Sequence, residues 1–171
     1  MANERYTRTN QKLFYAGLAL ESWARAEEGQ AMNALALIQA EREAALFHLY
    51  GALLGLCHEI AGYYRLPDSA APRAEHYLRA EILAAAPSQE LGELVELAQS
   101  EGSWLAQLLK AYTELHRPPQ EGRSAKADPA LISAVSLDVV DEPPLSRQTL
   151  EDWRQALKSL ARRFRETLSE W

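Results

Sequence analysis

The sequence has only one cysteine, Cys57, among its 171 residues. A single cysteine excludes an intrachain disulfide, and the apolar residues around Cys57 predict a buried, inert thiol. A chain without disulfides is compatible with a reducing compartment, so we expect a cytoplasmic protein. The sequence also has no glycine-rich phosphate loop and no Gly-x-Ser-x-Gly elbow. It therefore gives no basis for predicting a nucleotide-binding or serine-hydrolase site.

Positive charge is scarce as well. The 18 Lys and Arg residues are outnumbered by 24 Asp and Glu residues, giving a formal net charge of −6. Because phosphate contacts need concentrated positive charge, this balance argues against a nucleic-acid partner. The four histidines form no Glu-x-x-His motif or histidine pair one helical turn apart. We therefore predict neither a metal site nor another cofactor.

Long uninterrupted apolar runs are missing too. No run reaches the ~18 uncharged apolar residues that a membrane-spanning helix needs, so we do not expect the chain to enter a membrane. Glycine and proline are few, at 8 each, whereas the helix-favouring residues alanine, leucine, glutamate and arginine are abundant. This composition predicts an all-α fold, and the length predicts a single domain over residues 1–171.

Apolar residues recur at helical spacing in five segments, which predicts four long helices and one short helix in an antiparallel bundle. Gly102 is a candidate break within the fourth segment. Ser69 and Ser88 are candidate caps of the third and fourth segments, and Thr149 and Asp152 resemble a capping pair for the last helix. The apolar stripe that we expect to be buried is Leu13, Ala16, Leu20, Trp23 and Ala24 in the first helix and Leu150, Trp153, Leu157, Leu160, Phe164, Leu168 and Trp171 in the last. The five predicted segments are 9–28, 31–65, a short helix between Ser69 and Pro87, 89–115 and 149–171.

A long connection, residues 117–146, precedes the last helix. Its first part, "HRPPQEGRSAKADP", cannot continue a helix because of its prolines and scattered charge. Its second part, "ALISAVSLDVV", alternates apolar and other residues with a period of two, which predicts an extended segment with one covered face. Leu131, Val135 and Leu137 lie on that face. They are candidate residues for contact with a partner.

The second helix carries a group of polar residues within the apolar run "AALFHLYGALLGLCHEIAGYY", residues 44–64. At 100° per residue, Glu41, His48, His58 and Glu59 share one sector of the helix with Gly51 and Gly55. The rest of the circumference is apolar, so we expect neighbouring helices to enclose it. The small residues predict close approach of another helix. Our candidate binding residues on this helix are Glu41, His48, His58 and Glu59.

The stretch "REAALFH", Arg42 to His48, resembles the Arg-x(4–6)-His motif of HEPN ribonucleases. Those enzymes are small helical bundles, and the resemblance implies that Arg42 and His48 act together on RNA across a dimer, in a reaction that needs general acid–base catalysis. The resemblance to the HEPN motif covers two residues only. An HEPN-like ribonuclease is therefore an alternative hypothesis, beside a helical bundle that binds a small ligand next to the Gly51 and Gly55 seam.

A second resemblance covers most of residues 1–66. The stretches "MANERYTRTNQKLFYAGLALESW" and "EREAALFHLYGALLGLCHEI" resemble a family of small proteins of gamma-proteobacteria labelled as a domain of unknown function. The resemblance implies a bacterial cytoplasmic protein and no catalytic residues. Our principal expectation is a non-enzymatic interaction or regulatory protein that binds a protein partner or a second copy of itself.

Overall fold

The fold is all-α, as the composition predicts. The computed structural model describes residues 2–118 and 144–169, and the regular structure of these residues is helical throughout. The described helices are α1 Ala2–Glu28, α2 Ala34–Tyr63, a 3-10 turn Ala74–His76, α3 Ala80–Ala85, α4 Gln89–Gln99, α5 Trp104–Glu114 and α6 Arg147–Ser169.

Helices α1 and α2 form an antiparallel hairpin joined by residues 29–33. The direction follows from the contacts, because the position on α2 falls as the position on α1 rises. Thr9 meets Gly55, Lys12 meets Gly51, and Ser22 bonds to Glu41. The predicted stripe on α1 is buried as expected, and it includes Leu13, Ala16, Leu20 and Trp23. Burial of this stripe against α2 is what stabilises the hairpin.

Helix α6 lies antiparallel to α1 and covers the inner side of the hairpin. Arg147 bonds to Glu27, Arg154 donates to the carbonyl of Leu13, and Arg165 bonds to Asn10. The apolar residues predicted for this helix fill the space beneath it: Leu150, Trp153, Leu157, Leu160, Phe164 and Leu168 are all buried. Helices α1, α2 and α6 therefore each contribute side chains to the same two hydrophobic clusters.

Two of the predicted segments differ from the structure in their bounds. The short third helix is instead a 3-10 turn and the six-residue α3, and Ser69 caps neither of them. The fourth segment, predicted with a candidate break at Gly102, is two helices of eleven residues each. The last helix begins earlier than predicted, because Ser146 rather than Thr149 is its cap: the Ser146 hydroxyl accepts from the Thr149 amide at 3.1 Å.

The break between α4 and α5 confirms the effect expected at Gly102. Ser103 then starts α5, since its hydroxyl accepts from the Ala106 amide at 3.0 Å and donates to the Leu97 carbonyl at 2.5 Å. The predicted Ser88 cap of α4 is also confirmed by its bond from the Leu91 amide at 3.2 Å. Capping side chains satisfy amides that the first helical turn leaves unpaired.

Trp171 and the extended segment predicted around Leu131, Val135 and Leu137 lie outside the described residues. Among the described helices, one, Ala34–Tyr63, is long and apolar enough to cross a membrane by length and composition alone. In the window that meets this criterion, 67% of the residues are buried inside the protein. That degree of burial is typical of a helix at the centre of a core.

Candidate functional site

The polar residues of α2 do not converge on one point. Each of them contacts different residues outside α2. Glu41 accepts a hydrogen bond from the Ser22 hydroxyl of α1 at 2.9 Å. His58 lies on the other side, where its Nε2 is 2.7 Å from the Ala71 carbonyl and its ring meets Tyr77 edge-on. These two residues therefore join α2 to separate parts of the fold.

Glu59 lies inside the protein, with its side chain 1% exposed. Its carboxylate accepts two bonds from the Arg165 guanidinium of α6, each at 2.8 Å. The Thr9 hydroxyl of α1 donates a third bond at 2.5 Å. A bidentate pair of this kind is both strong and specific in geometry. Glu59 therefore ties three helices together and does not face a partner.

The glycine seam on α2 is where α1 approaches most closely. A Cβ added at Gly55 would lie 2.6 Å from the Thr9 hydroxyl oxygen and 3.3 Å from the Thr9 Cα. At Gly51 the added atom would meet the Lys12 side chain at 3.2 Å. The predicted close crossing of another helix is confirmed. The Thr9 and Lys12 side chains fill the space beside the seam, where the small-ligand hypothesis needs a cavity.

Arg42 and His48 point to different sides of α2. Their positions differ by six, which places them about 120° apart around the helix. The Arg42 Nε donates to the Leu145 carbonyl at 3.0 Å, and its guanidinium lies 4.9 Å from the centroid of the Trp23 ring. The His48 ring instead lies against Tyr15 of α1. The two side chains do not come together within this chain.

His48 lies at the centre of a row of rings on the outer face of α1 and α2. Its centroid is 5.3 Å from that of Tyr15 and 5.3 Å from that of Phe47. Phe14 extends the row, 6.4 Å from Tyr15. The Lys12 ammonium lies 5.0 Å from the centroid of Phe47. Two helices thus hold four rings in contact on one surface.

This row is open to solvent on its outer side. The exposed fractions are 59% for Phe14, 51% for Phe47 and 43% for Leu18, which lies one turn after Phe14 on the same side of α1. Large apolar side chains grouped in this way commonly mark interaction sites. We call Phe14, Tyr15, Leu18, Phe47 and His48 the aromatic surface.

The imidazole of His48 has an unusual environment. Its Nδ1 is buried and has no hydrogen-bond partner among the described residues. Burial lowers the pKa of His48 below its ordinary value, and the nearby charge of Lys12 lowers that pKa further. The ring is therefore neutral at pH 7, and it contributes to the aromatic surface chiefly as an apolar group.

The cysteine of α2 is not accessible to solvent. Cys57 is buried, and burial raises the pKa of its thiol to about 12. A protonated thiol without solvent access is a poor nucleophile, so burial supports the prediction of an inert cysteine. In residues 2–118 and 144–169, no three His, Cys, Asp or Glu side chains are grouped so that they could hold a metal ion.

A family model described as a family of unknown function, DUF6586, matches residues 1–171 of this sequence. The chain belongs to the DUF6586 family. The expected resemblance of residues 1–66 to a family of unknown function is thereby confirmed, and it extends over the whole chain. Searches of curated proteins and of solved structures gave no match. The aromatic surface of this DUF6586 protein must therefore be interpreted from its own geometry.

The sequence pattern identified His48 but not the phenylalanines beside it. Leu13, Ala16 and Leu20 account for the buried stripe of α1. Phe14 and Leu18 lie off that stripe. A helix that packs on one side needs only one apolar face, so these two extra apolar residues could have indicated an exposed binding surface on α1. On α2, Phe47 is hidden within an almost wholly apolar run, and only the position of α1 shows which side stays open.

Proposed function

We propose that this DUF6586 protein is a non-enzymatic interaction or regulatory protein of the bacterial cytoplasm, which binds a protein partner through the aromatic surface. The observation that carries the proposal is the exposure of Phe14 and Phe47 on a tightly packed two-helix layer. Burying apolar surface is worth about 25 cal/mol per Å². Two half-exposed phenyl rings are therefore strong candidates for the centre of an interface.

Rigidity supports the same function. The aromatic surface stands on α1 and α2, which the glycine seam and the Glu59–Arg165 pair hold in fixed positions. A surface that is already ordered loses little conformational entropy on binding. Phenylalanine and tyrosine also add large contact areas with few rotatable bonds. The surface is thus built for protein contact without rearrangement.

The two alternative functions have less support. An HEPN-like ribonuclease needs Arg42 and His48 side by side, whereas Arg42 binds the Leu145 carbonyl and His48 lies among rings. A small-ligand site beside Gly51 and Gly55 needs a cavity that Thr9 and Lys12 occupy. Protein binding is the function that uses the exposed rings of Phe14 and Phe47.

The test compares tagged proteins purified from their own cell. Phe14→Glu and Phe47→Glu place a charge in the aromatic surface, and Leu35→Glu is the matched control, because Leu35 is 83% exposed on α2 and is not part of that surface. Circular dichroism establishes that each variant is folded. We expect the wild type and Leu35→Glu to retain the same protein partner, or a second copy, and the two phenylalanine variants to lose it. Equal retention by all four proteins, or by none, would contradict the proposal.

A further inference from the structure

The outer side of α1 has the spacing of a coiled-coil seam. Residues alternately three and four apart along it are exposed without exception: Glu4, Thr7, Gln11, Phe14, Leu18, Glu21, Arg25 and Glu28. In a coiled coil the residues at this spacing face a partner helix; here the two central ones, Phe14 and Leu18, are apolar and the flanking ones are polar or charged. The opposite side of α1 packs against α2 and α6, whereas the phenyl ring of Phe14 and the side chain of Leu18 are about half exposed on this stripe.

We infer that the partner which covers this stripe is a second copy of the chain, with the two α1 helices antiparallel about a two-fold axis at residue 16. This inference rests on the proposed function, and it names the partner for the α1 part of the aromatic surface. In an isologous contact each residue meets a fixed counterpart on the other copy. Here the two residue numbers of each facing pair add up to 32.

This register makes the stripe complementary to itself. Phe14 packs against Leu18 of the partner subunit, and the two-fold axis repeats the contact, so two apolar layers form the centre. Gln11 faces Glu21 of the partner subunit, where its amide can donate to the carboxylate. Arg25 faces Thr7 of the partner subunit. In this register Glu4 would face Glu28 of the partner subunit, and the two like charges would repel. The seam therefore extends only from Thr7 to Arg25.

Other arrangements of the same stripe are worse. A parallel pair sets each residue against its own copy, which places Glu21 on Glu21 and Arg25 on Arg25. Like charges at facing positions are destabilising. Moving the antiparallel register by one heptad sets Phe14 opposite Gln11 or Arg25 and leaves Leu18 opposite a polar residue. Only the register centred at residue 16 buries both apolar residues while separating like charges along the seam.

The α2 part of the aromatic surface lies beside this seam. Tyr15 occupies the flank of the stripe next to the two-fold axis, and its ring touches His48. Phe47 follows on the far side of His48. Pairing of α1 therefore brings α2 to the edge of the contact on both copies. Two helices from each chain then form the interface, as in a four-helix bundle.

Sedimentation equilibrium of the full chain over a wide range of concentration tests the second copy. We expect a species of twice the 19.1 kDa chain mass for the wild type and for Leu35→Glu. Leu18→Glu should be a folded monomer at the same concentrations. Gln11→Lys and Gln11→Glu form a second pair of variants at an exposed position, facing Glu21. The lysine should tighten the dimer by roughly two- to fivefold and the glutamate weaken it by a similar factor.

Nitroxide labels test the direction of the helices. At 1.5 Å per residue, the antiparallel pair separates labels at position 25 by about 27 Å along the helix axis, and labels at position 11 by about 15 Å. A parallel pair gives nearly equal, short distances at both positions. Arg25→Cys and Gln11→Cys carry the label, while the buried Cys57 is protected from it.

The outcomes separate this inference from the proposed function. A monomer at all concentrations, a dimer unaffected by Leu18→Glu, or equal label distances would overturn the second copy as partner. If the monomer still captures a different protein and Phe14→Glu abolishes the capture, the proposed function stands and only the partner is wrong. If the chain is a monomer and its capture of another protein does not depend on the aromatic surface, both the inference and the proposed function are wrong.

Discussion

The imidazole of His48 is surrounded by rings instead of hydrogen-bond partners. Tyr15 and Phe47 meet it edge-on or nearly so, and its Nδ1 has no partner among the described residues. A buried polar atom without a partner costs free energy, and protonation of such a ring costs more. Mild acid should therefore destabilise the folded protein through His48.

We predict that stability falls below pH 6.5 in a way that depends on His48. The folded protein holds the pKa of His48 below the ordinary value of 6.5, so the unfolded chain takes up this proton first as the pH falls. Stability is then lost progressively, until the folded form is protonated too. His48→Leu should be at least as stable at pH 7.5 and lose less stability between pH 6.5 and 5.

Urea denaturation at several pH values measures this difference. Because His58, His76 and His116 are present in both proteins, the difference between the two curves isolates the contribution of His48. Parallel curves would show that protonation of His48 is not linked to unfolding.

At the scale of whole elements, the crossing of α1 over α2 depends on residues without a bulky side chain. The backbone of α1 comes so near that the Thr9 Cα lies 3.3 Å from where a Gly55 Cβ would be. Thr9 has little freedom to move, since its hydroxyl is bonded to the buried Glu59. The crossing brings Tyr15 against His48, so the same close approach forms the aromatic surface.

We predict that Gly55→Ala lowers the free energy of unfolding by about 1–3 kcal/mol through overpacking. The loss should occur although alanine is the better helix former. Gly102→Ala is the control, because no atom lies within 4 Å of an added Cβ there, and its effect should stay within about 0.5 kcal/mol. Urea denaturation gives both values, and a Gly55→Ala protein as stable as the wild type would mean that α1 does not press on α2.

At the scale of the whole molecule, one buried ion pair fixes three helices at one end of the bundle. Glu59 of α2 binds Arg165 of α6 and Thr9 of α1, and Arg165 also bonds to Asn10 of α1. Desolvation opposes such a pair, so its net contribution is small while both partners are present. Removing one partner leaves a buried group unpaired, which is costly.

We predict that Arg165→Met destabilises the protein by about 3–5 kcal/mol, because it leaves the Glu59 carboxylate buried without its cation. The double variant Glu59→Met, Arg165→Met should recover a large part of that loss. Arg162→Met is the control on the same helix, since its pair with Glu166 is 3.9 Å long and exposed on both sides; its effect should be under about 1 kcal/mol. Additive effects of Glu59→Met and Arg165→Met would contradict the coupling.

The sequence by itself determined which segments are helical and which of their faces are buried. The stripe of Leu13, Ala16 and Leu20 and the Ser88 cap of α4 act within a few residues of the chain, so periodicity and capping rules detect them. The same rules failed for the third segment, where a 3-10 turn replaces regular helix. There, the Tyr77 hydroxyl donates to the Asp68 carbonyl and accepts from the Ala71 amide, and these bonds fix the chain in a compact turn that no local period reveals.

Only the tertiary structure decided the roles of the polar residues on α2. Glu41, His48, His58 and Glu59 share one sector in sequence, yet each contacts different residues in the fold: Glu41 and His48 meet α1, His58 meets the Ala71 carbonyl, and Glu59 meets both α1 and α6. Arg165, which neutralises Glu59, is 106 residues away. The aromatic surface has the same origin. A helix period shows how many faces are apolar, but whether Phe14 and Phe47 are covered depends on where the other helices lie, and that placement is set by packing between distant parts of the chain.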